Sequence, residues 1–216
     1  MSEQEFKLTK LVWHTPNIEQ VIMYCARVSS PHRQMSEDTR LLEYCIKHGH
    51  WSPFEMASIC LEINTTRAIS AQILRHRSFH FQEFSQRYAS VATKPGKTTH
   101  RIKAKTNRQS SIETELNAKQ QALADKADAL VEILWNTYND MLSEGISNET
   151  ARNILPLSTP TRLYMSGTVR DWLHYCKVRT SEDTQKEHRD VANEVSSHLK
   201  LICPFVFNAF KNHWMQ

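Results

Sequence analysis

The chain has 216 residues, enough for one domain with a real core and short for two. Its 40% hydrophobic and 23% charged residues exclude a disordered chain, and no apolar run has the length of a membrane span. The net charge of +4 is concentrated, because Lys94 to Arg108 hold six Lys or Arg and no acid; +4 less those six leaves −2, which points to one local basic loop rather than a domain-wide nucleic-acid surface.

The opening MSEQEFKLTK lacks the apolar core of a signal peptide, so a cytoplasmic protein is expected. The five cysteines (Cys25, Cys45, Cys60, Cys176, Cys203) form no Cys-x-x-Cys and read as buried thiols. Glycine occurs only at 49, 96, 145 and 167, so Gly-x-Gly-x-x-Gly cannot be written. Residues 96–98, GKT, mimic the end of a phosphate loop, but Val91 stands where its first glycine belongs. Bound phosphates would have to be held by arginines and helix N-termini.

Along the chain, Phe6, Leu8 and Val12 suggest a strand over 5–13 with those residues on one side. Ser36 is expected to cap a helix through LLEYCIKH that ends at Gly49. Alternation over 57–63 predicts a second strand, followed by a helix through AISAQIL. Residues 92–112 read as a mobile basic loop. Leu123, Ala127, Leu130, Leu134, Tyr138 and Met141 form the apolar stripe of a long helix ended by Gly145. Ser147 is expected to cap a short helix stopping before Pro156. Thr168 and Asp171 form a capping box before WLHYCKV, and Ser181 would cap a last long helix with Val191, Val195, Leu199 and Ile202 inside. The sum is an α+β chain, a compact single domain over 1–216 with a small, mainly antiparallel sheet and long helices.

Residues 75–87, RHRSFHFQEFSQR, concentrate three arginines, two histidines and three phenylalanines. If extended, Glu83, Ser85 and Arg87 would share one face, with Phe84, Gln86 and Tyr88 on the other. An acceptor, a hydroxyl and a guanidinium suit a sugar, a phosphate or a base edge. Three readings stand on pattern alone: a packed amphipathic segment, a single-stranded nucleic-acid surface, and a small-molecule anion site. Ser85 has no evident base to make it a nucleophile, and the histidine pairs lack metal-ligand spacing.

The spacing RHR, seven residues, then Ser85-Gln86-Arg87 resembles the signature of the flavin-dependent thymidylate synthases, the ThyX family. CARVSS (25–30), KHGHWSPFE (47–55), ARNILPLSTPTR (151–162) and SGTVRDWLHYCKVR (166–179) resemble further segments of that family. The resemblance implies reductive methylation of dUMP to dTMP, with 5,10-methylenetetrahydrofolate as carbon donor and NADPH as reductant through FAD. It implies a homotetramer with shared sites, small-molecule partners, and neither nucleic acid, membrane nor metal. By resemblance, Gln72, Arg75, Glu83, Ser85, Gln86, Arg87, Arg152 and Arg179 contact dUMP. Ser29, His50, Ser52, Arg75, His76, Arg77, Ser78, Glu83, Thr168, Arg170 and His174 lie where the family contacts FAD. Arg179 is the expected catalytic residue, stabilising charge that develops in the pyrimidine ring. Thr168 and His174 stand where some members have asparagine, and Met56 where some have histidine.

Overall fold

The computed structural model describes residues 7–215; Phe6, part of the first expected strand, lies outside them. The order is β1 (Thr9–His14), α1 (Ile18–Ala26), α2 (Arg40–Lys47), β2 (Ser58–Thr66), α3 (Arg67–Ile73) and β3 (His80–Glu83). Two short strands follow, β4 (Ile102–Lys103) and β5 (Ser111–Ile112), then α4 (Ala118–Ser143) and α5 (Asn148–Ala151). The chain finishes with β6 (Pro160–Thr168), α6 (Val169–Arg179), α7 (Lys186–Ile202) and α8 (Pro204–Trp214). One sheet runs β1-β2-β6-β3, with β1 antiparallel to β2, and β4 pairs with β5 as a small antiparallel ribbon. The α+β class with a small sheet and long helices is therefore observed.

The chain divides into two compact units. The first holds the chain up to Ile63, Leu74–Gln82, and everything from Tyr164 onward. Its core gathers Ile22, Leu42, Ile46, Phe54, Ile59, Leu61, Trp172, Leu173, Val195 and Leu199, all fully or almost fully buried. Trp172 anchors α6 to β2 by donating its indole N–H to the Ile59 carbonyl at 3.0 Å. The second unit holds Asn64–Ile73 and Glu83–Leu163. Its core is smaller: Val91, Tyr138 and Ala151, with Trp135, Met141, Leu142, Ile154 and Leu155 packed around them. Tyr138 is satisfied there by the Val91 backbone N–H, which donates to its hydroxyl at 2.9 Å.

Local chemistry explains where several elements begin and end. Thr168 closes β6 and opens α6: its hydroxyl accepts from the Asp171 N–H, and the Asp171 carboxylate accepts from the Thr168 N–H at 2.9 Å. This is the expected capping box. Gly49 and Gly145 take left-handed backbone at the ends of α2 and α4, a conformation that disfavours other residues. α4 starts on a second capping box, Asn117 with Gln120, which the apolar stripe did not reveal.

Other expectations are corrected. β1 turns the opposite face inward: Thr9 is the buried residue and Val12 is 48% exposed, and the register shifts between Leu11 and Trp13. α2 begins at Arg40 and not near Ser36, because Asp38 accepts the Arg40 N–H while the Ser36 carbonyl accepts from Arg27. α7 begins at Lys186, since Ser181 spends its carbonyl on a turn to Thr184. The basic segment contains the β4–β5 ribbon, and it is tied to α4 by Lys94–Glu132 and His100–Asp128. Most of the α4 stripe is not core: Leu123 is 61% exposed, and only Ala124 and Tyr138 of that helix are buried.

Candidate active site

In the first unit, Arg75-His76-Arg77 stands in a turn closed by the Phe79 N–H on the His76 carbonyl. Arg179 is the last residue of α6, where the helix dipole favours a cation. Its Nε donates to Nε2 of His76 at 2.9 Å, across 103 positions of sequence. That acceptor role leaves the imidazole proton on Nδ1. The His76 ring stands edge-on to Tyr175 at 5.0 Å and to Phe79 at 6.3 Å. Behind them, His188 Nε2 and the Tyr175 hydroxyl share a buried hydrogen bond of 3.1 Å. Burial, then the charges of Arg179, His174 and Arg75, hold His76 down at about 4, so the ring is neutral near pH 7. Burial, then Arg179 and His76, lower His188 to about 3.

Beside the start of α6 lies a cavity of about 840 Å³ within the same unit. Four expected flavin residues line it: Ser78, Thr168, Arg170 and His174. Sequence reasoning missed its other useful members, Trp51, Lys177 and Trp214. Lys177 lies over the Trp214 ring at 4.8 Å, and Trp51 meets Trp214 edge-on at 5.5 Å. Arg170 is paired with Glu55, the final residue of the KHGHWSPFE segment. Arg170 and the positions four and seven after it carry the site's basic side chains: Arg170, His174 and Lys177 fall near one face of α6, and that spacing was the available signal. Cations, hydroxyls and flat rings in one cavity of this size suit a dinucleotide cofactor. Ser29, His50, Ser52, Arg75, His76 and Arg77 belong to the same unit but do not line this cavity.

In the second unit, the extended face expected for Glu83, Ser85 and Arg87 does not form. β3 stops at Glu83, and the Ser85 carbonyl accepts from the N–H groups of Tyr88 and Ala89, which turns the chain. Gln86 is consequently buried while Tyr88 is 91% exposed, so those two do not share a face either. Glu83 forms an ion pair with Arg67 and accepts from Ser70 and Thr161. Arg87 reaches Glu149 of α5 at 3.0 Å, close in sequence to Arg152 on the following turn. Gln72 sits half-buried on α3. Of the three phenylalanines of residues 75–87, Phe84 is 38% exposed, whereas Phe79 in the first unit is buried with its ring 4.8 Å from Trp172. That removes one of the rings a nucleic-acid surface would use for stacking. Among the described residues, no group of three or more His, Cys, Asp or Glu is placed to hold a metal ion.

The thymidylate synthase complementing protein family model matches residues 10–205. A probable flavin-dependent thymidylate synthase from Paramecium bursaria Chlorella virus 1 is 50% identical over 196 residues, covering 89% of this chain and 91% of that one. The flavin-dependent thymidylate synthase of a Synechocystis strain is 50% identical over 174 residues, 81% of this chain and 80% of its own. In fold, the chain is similar to a UMP/dUMP methylase from Streptomyces cacaoi bound with 5-Br dUMP, at a TM-score of 0.81 and 24% identity over 96% of this chain and 95% of the other. With the family model spanning nearly the whole chain and half of the aligned residues identical to each of two such relatives, this chain belongs to the thymidylate synthase complementing proteins, the flavin-dependent thymidylate synthase family.

Proposed function

We propose that the chain methylates dUMP reductively to dTMP, taking carbon from 5,10-methylenetetrahydrofolate and reducing equivalents from NADPH through FAD, and releasing tetrahydrofolate. Family membership and the names of its relatives support this reading. The structural observation that carries it is the contact between Arg179 and His76, which joins the two motifs expected to serve catalysis. When bound, FAD supplies the two-electron relay between the nicotinamide and the transferred carbon.

The chain's own residues act around that group. Arg170 and Lys177 supply positive charge for a diphosphate, His174 supplies a ring nitrogen for hydrogen bonding, Ser78 and Thr168 supply hydroxyls, and Trp51 and Trp214 supply ring surface. Ser29, His50, Ser52, Arg75, His76, Arg77 and Glu83 complete the FAD set carried over from the family. Gln72, Arg75, Glu83, Ser85, Gln86, Arg87 and Arg152 hold dUMP. Arg179 faces the pyrimidine and stabilises the negative charge that makes carbon 5 nucleophilic. Neutral His76 suits this role: it accepts from the guanidinium without adding a competing positive charge. The active form is a homotetramer with shared sites, and it works in the cytoplasm; no helix among the described residues is long and apolar enough to cross a membrane.

Absorbance and turnover test the reading together. The purified protein should take up FAD, lose its flavin absorbance on addition of NADPH, and form dTMP only when the folate is present. A protein that takes up no FAD and converts no dUMP refutes it.

A further inference from the structure

Glu83 carries an asymmetry that its expected role as a ligand does not explain. A carboxylate has two oxygens with about four acceptor positions between them. Here three donors converge on one oxygen. Arg67 Nη1 lies 2.5 Å from Oε1, Ser70 Oγ donates to Oε1 at 2.6 Å, and Thr161 Oγ1 donates to it at 3.0 Å. Among the described residues, Oε2 receives no hydrogen bond. The Glu83 side chain is 14% exposed, and Oε2 is not among the buried atoms that lack a partner, so it can be reached from outside the chain.

The donors are themselves fixed. Arg67 and Ser70 are three positions apart on α3, which brings their side chains to one face of the helix. Thr161 lies on a buried position of β6, and Ser70 is fully buried. Groups held on regular elements by packing set an orientation more firmly than loop residues do. Three residues after Glu83, the Gln86 side chain is 92% buried and its amide Nε2 donates to nothing among the described residues. A buried donor without a partner is costly and calls for a partner from outside the chain. The segment therefore presents an unfilled acceptor at Glu83 and an unfilled donor at Gln86. A pyrimidine nucleotide carries the complementary groups: an N3–H, ring carbonyls and a sugar hydroxyl.

We propose that Arg67, Ser70 and Thr161 are positioning residues, which occupy one oxygen of Glu83 so that the other is offered to a hydrogen-bond donor on the bound nucleotide. This rests on the reading that the nucleotide is dUMP. Arg67 adds charge balance, and the two hydroxyls set the rotation of the carboxylate. None of the three need touch the substrate.

Isothermal titration of dUMP into FAD-saturated protein tests the clamp. Thr161→Val, which keeps the side-chain shape and removes the hydroxyl, should weaken dUMP binding about tenfold, and Ser70→Ala should do the same. Thr161→Ser should restore affinity to within about twofold of the parent, which a purely packing role for Thr161 would not predict. If Thr161→Val lowers the melting temperature, the Ser70→Ala and Thr161→Ser pair carries the comparison. Two analogues identify the donor: N3-methyl-dUMP lacks the ring N–H, and the 2′,3′-dideoxy nucleotide lacks the sugar hydroxyl. The one whose missing group faces Glu83 should lose affinity in the parent protein and lose less in Thr161→Val. Equal dUMP affinity in the parent, Thr161→Val and Ser70→Ala overturns the clamp and leaves the proposed reaction standing. A parent protein that binds no dUMP overturns both.

Discussion

The two compact units use their charged residues differently. In the first, the expected catalytic arginine is set against a buried aromatic cluster. Arg179 donates to His76, and the His76 ring meets Tyr175 and Phe79, with Trp172 and His188 behind. In the second, the expected nucleotide-binding arginine lies on the surface with an acid of its own. Arg87 pairs with Glu149, and their side chains are 64% and 63% exposed. A group packed against a core holds its orientation before any ligand arrives, which is what stabilisation of developing charge needs. A solvated ion pair contributes little to stability and exchanges partners readily, which suits a group that must capture and release an anion.

The largest expected effect is on the packed side. Arg179→Ala should reduce dTMP formation by about 10²–10³-fold, the usual consequence of removing one preorganised electrostatic donor. Its flavin absorbance should remain at the parent level, because Arg179 does not line the cavity proposed for FAD. Normal turnover in this variant would end its assignment as the catalytic residue.

The packing itself is tested at Gly167. A Cβ built there would stand 2.5 Å from the Phe79 ring. Phe79 cannot yield easily, since it is buried against Trp172. Gly167→Ala should cost about 1–3 kcal/mol of stability, as overpacking in a dense core does. Chemical denaturation measures this directly. A neutral result would show that the aromatic cluster is looser than its contacts suggest, and would weaken the contrast between the units.

Acid should also act on the first unit. His76 and His188 are held below the ordinary histidine value of 6.5, at about 4 and about 3. On acidification the unfolded chain therefore binds protons before the folded one does. The stability from keeping these rings neutral is complete above about pH 6.5 and declines as the pH falls toward about 4. Melting temperature should fall over that window. His188→Gln keeps a hydrogen-bonding group for Tyr175 but removes one titrating ring, so its decline should be shallower. An identical slope would show that His188 does not contribute to the acid response.

What could be read from the residues in order follows the range of each interaction, in both units. The Thr168–Asp171 capping box and the glycine stops at 49 and 145 were legible, because each depends on neighbours within a turn. β6 was missed although Thr161, Leu163, Met165 and Gly167 alternate inward with period two. Their small or polar members, Thr161 and Gly167, hid a buried face. Arg179 was nameable from its motif, but its partner lies 103 residues earlier, and no local pattern pairs them. Trp214 in the cavity wall was out of reach for the same reason, since it depends on how α8 packs. The expected face of Glu83, Ser85 and Arg87 failed because a turn at Ser85 replaced the assumed strand. Alternation predicts side-chain direction only while the chain stays extended.

The smallest expected effect is at Glu149, and it addresses the exposed side directly. If Arg87 captures the nucleotide phosphate, it must first leave this carboxylate. Glu149→Gln removes the competing charge while keeping the side-chain shape. Stability should change by less than about 1 kcal/mol, as for other exposed pairs. Affinity for dUMP should rise by up to about fivefold, the same free energy now freed for the ligand. The gain should shrink in high salt, which already screens the surface pair. A loss of affinity would mean that Glu149 orients Arg87 for the nucleotide instead of competing for it. The arginine would then be preorganised like Arg179, by an acid on the surface in place of a ring in the core.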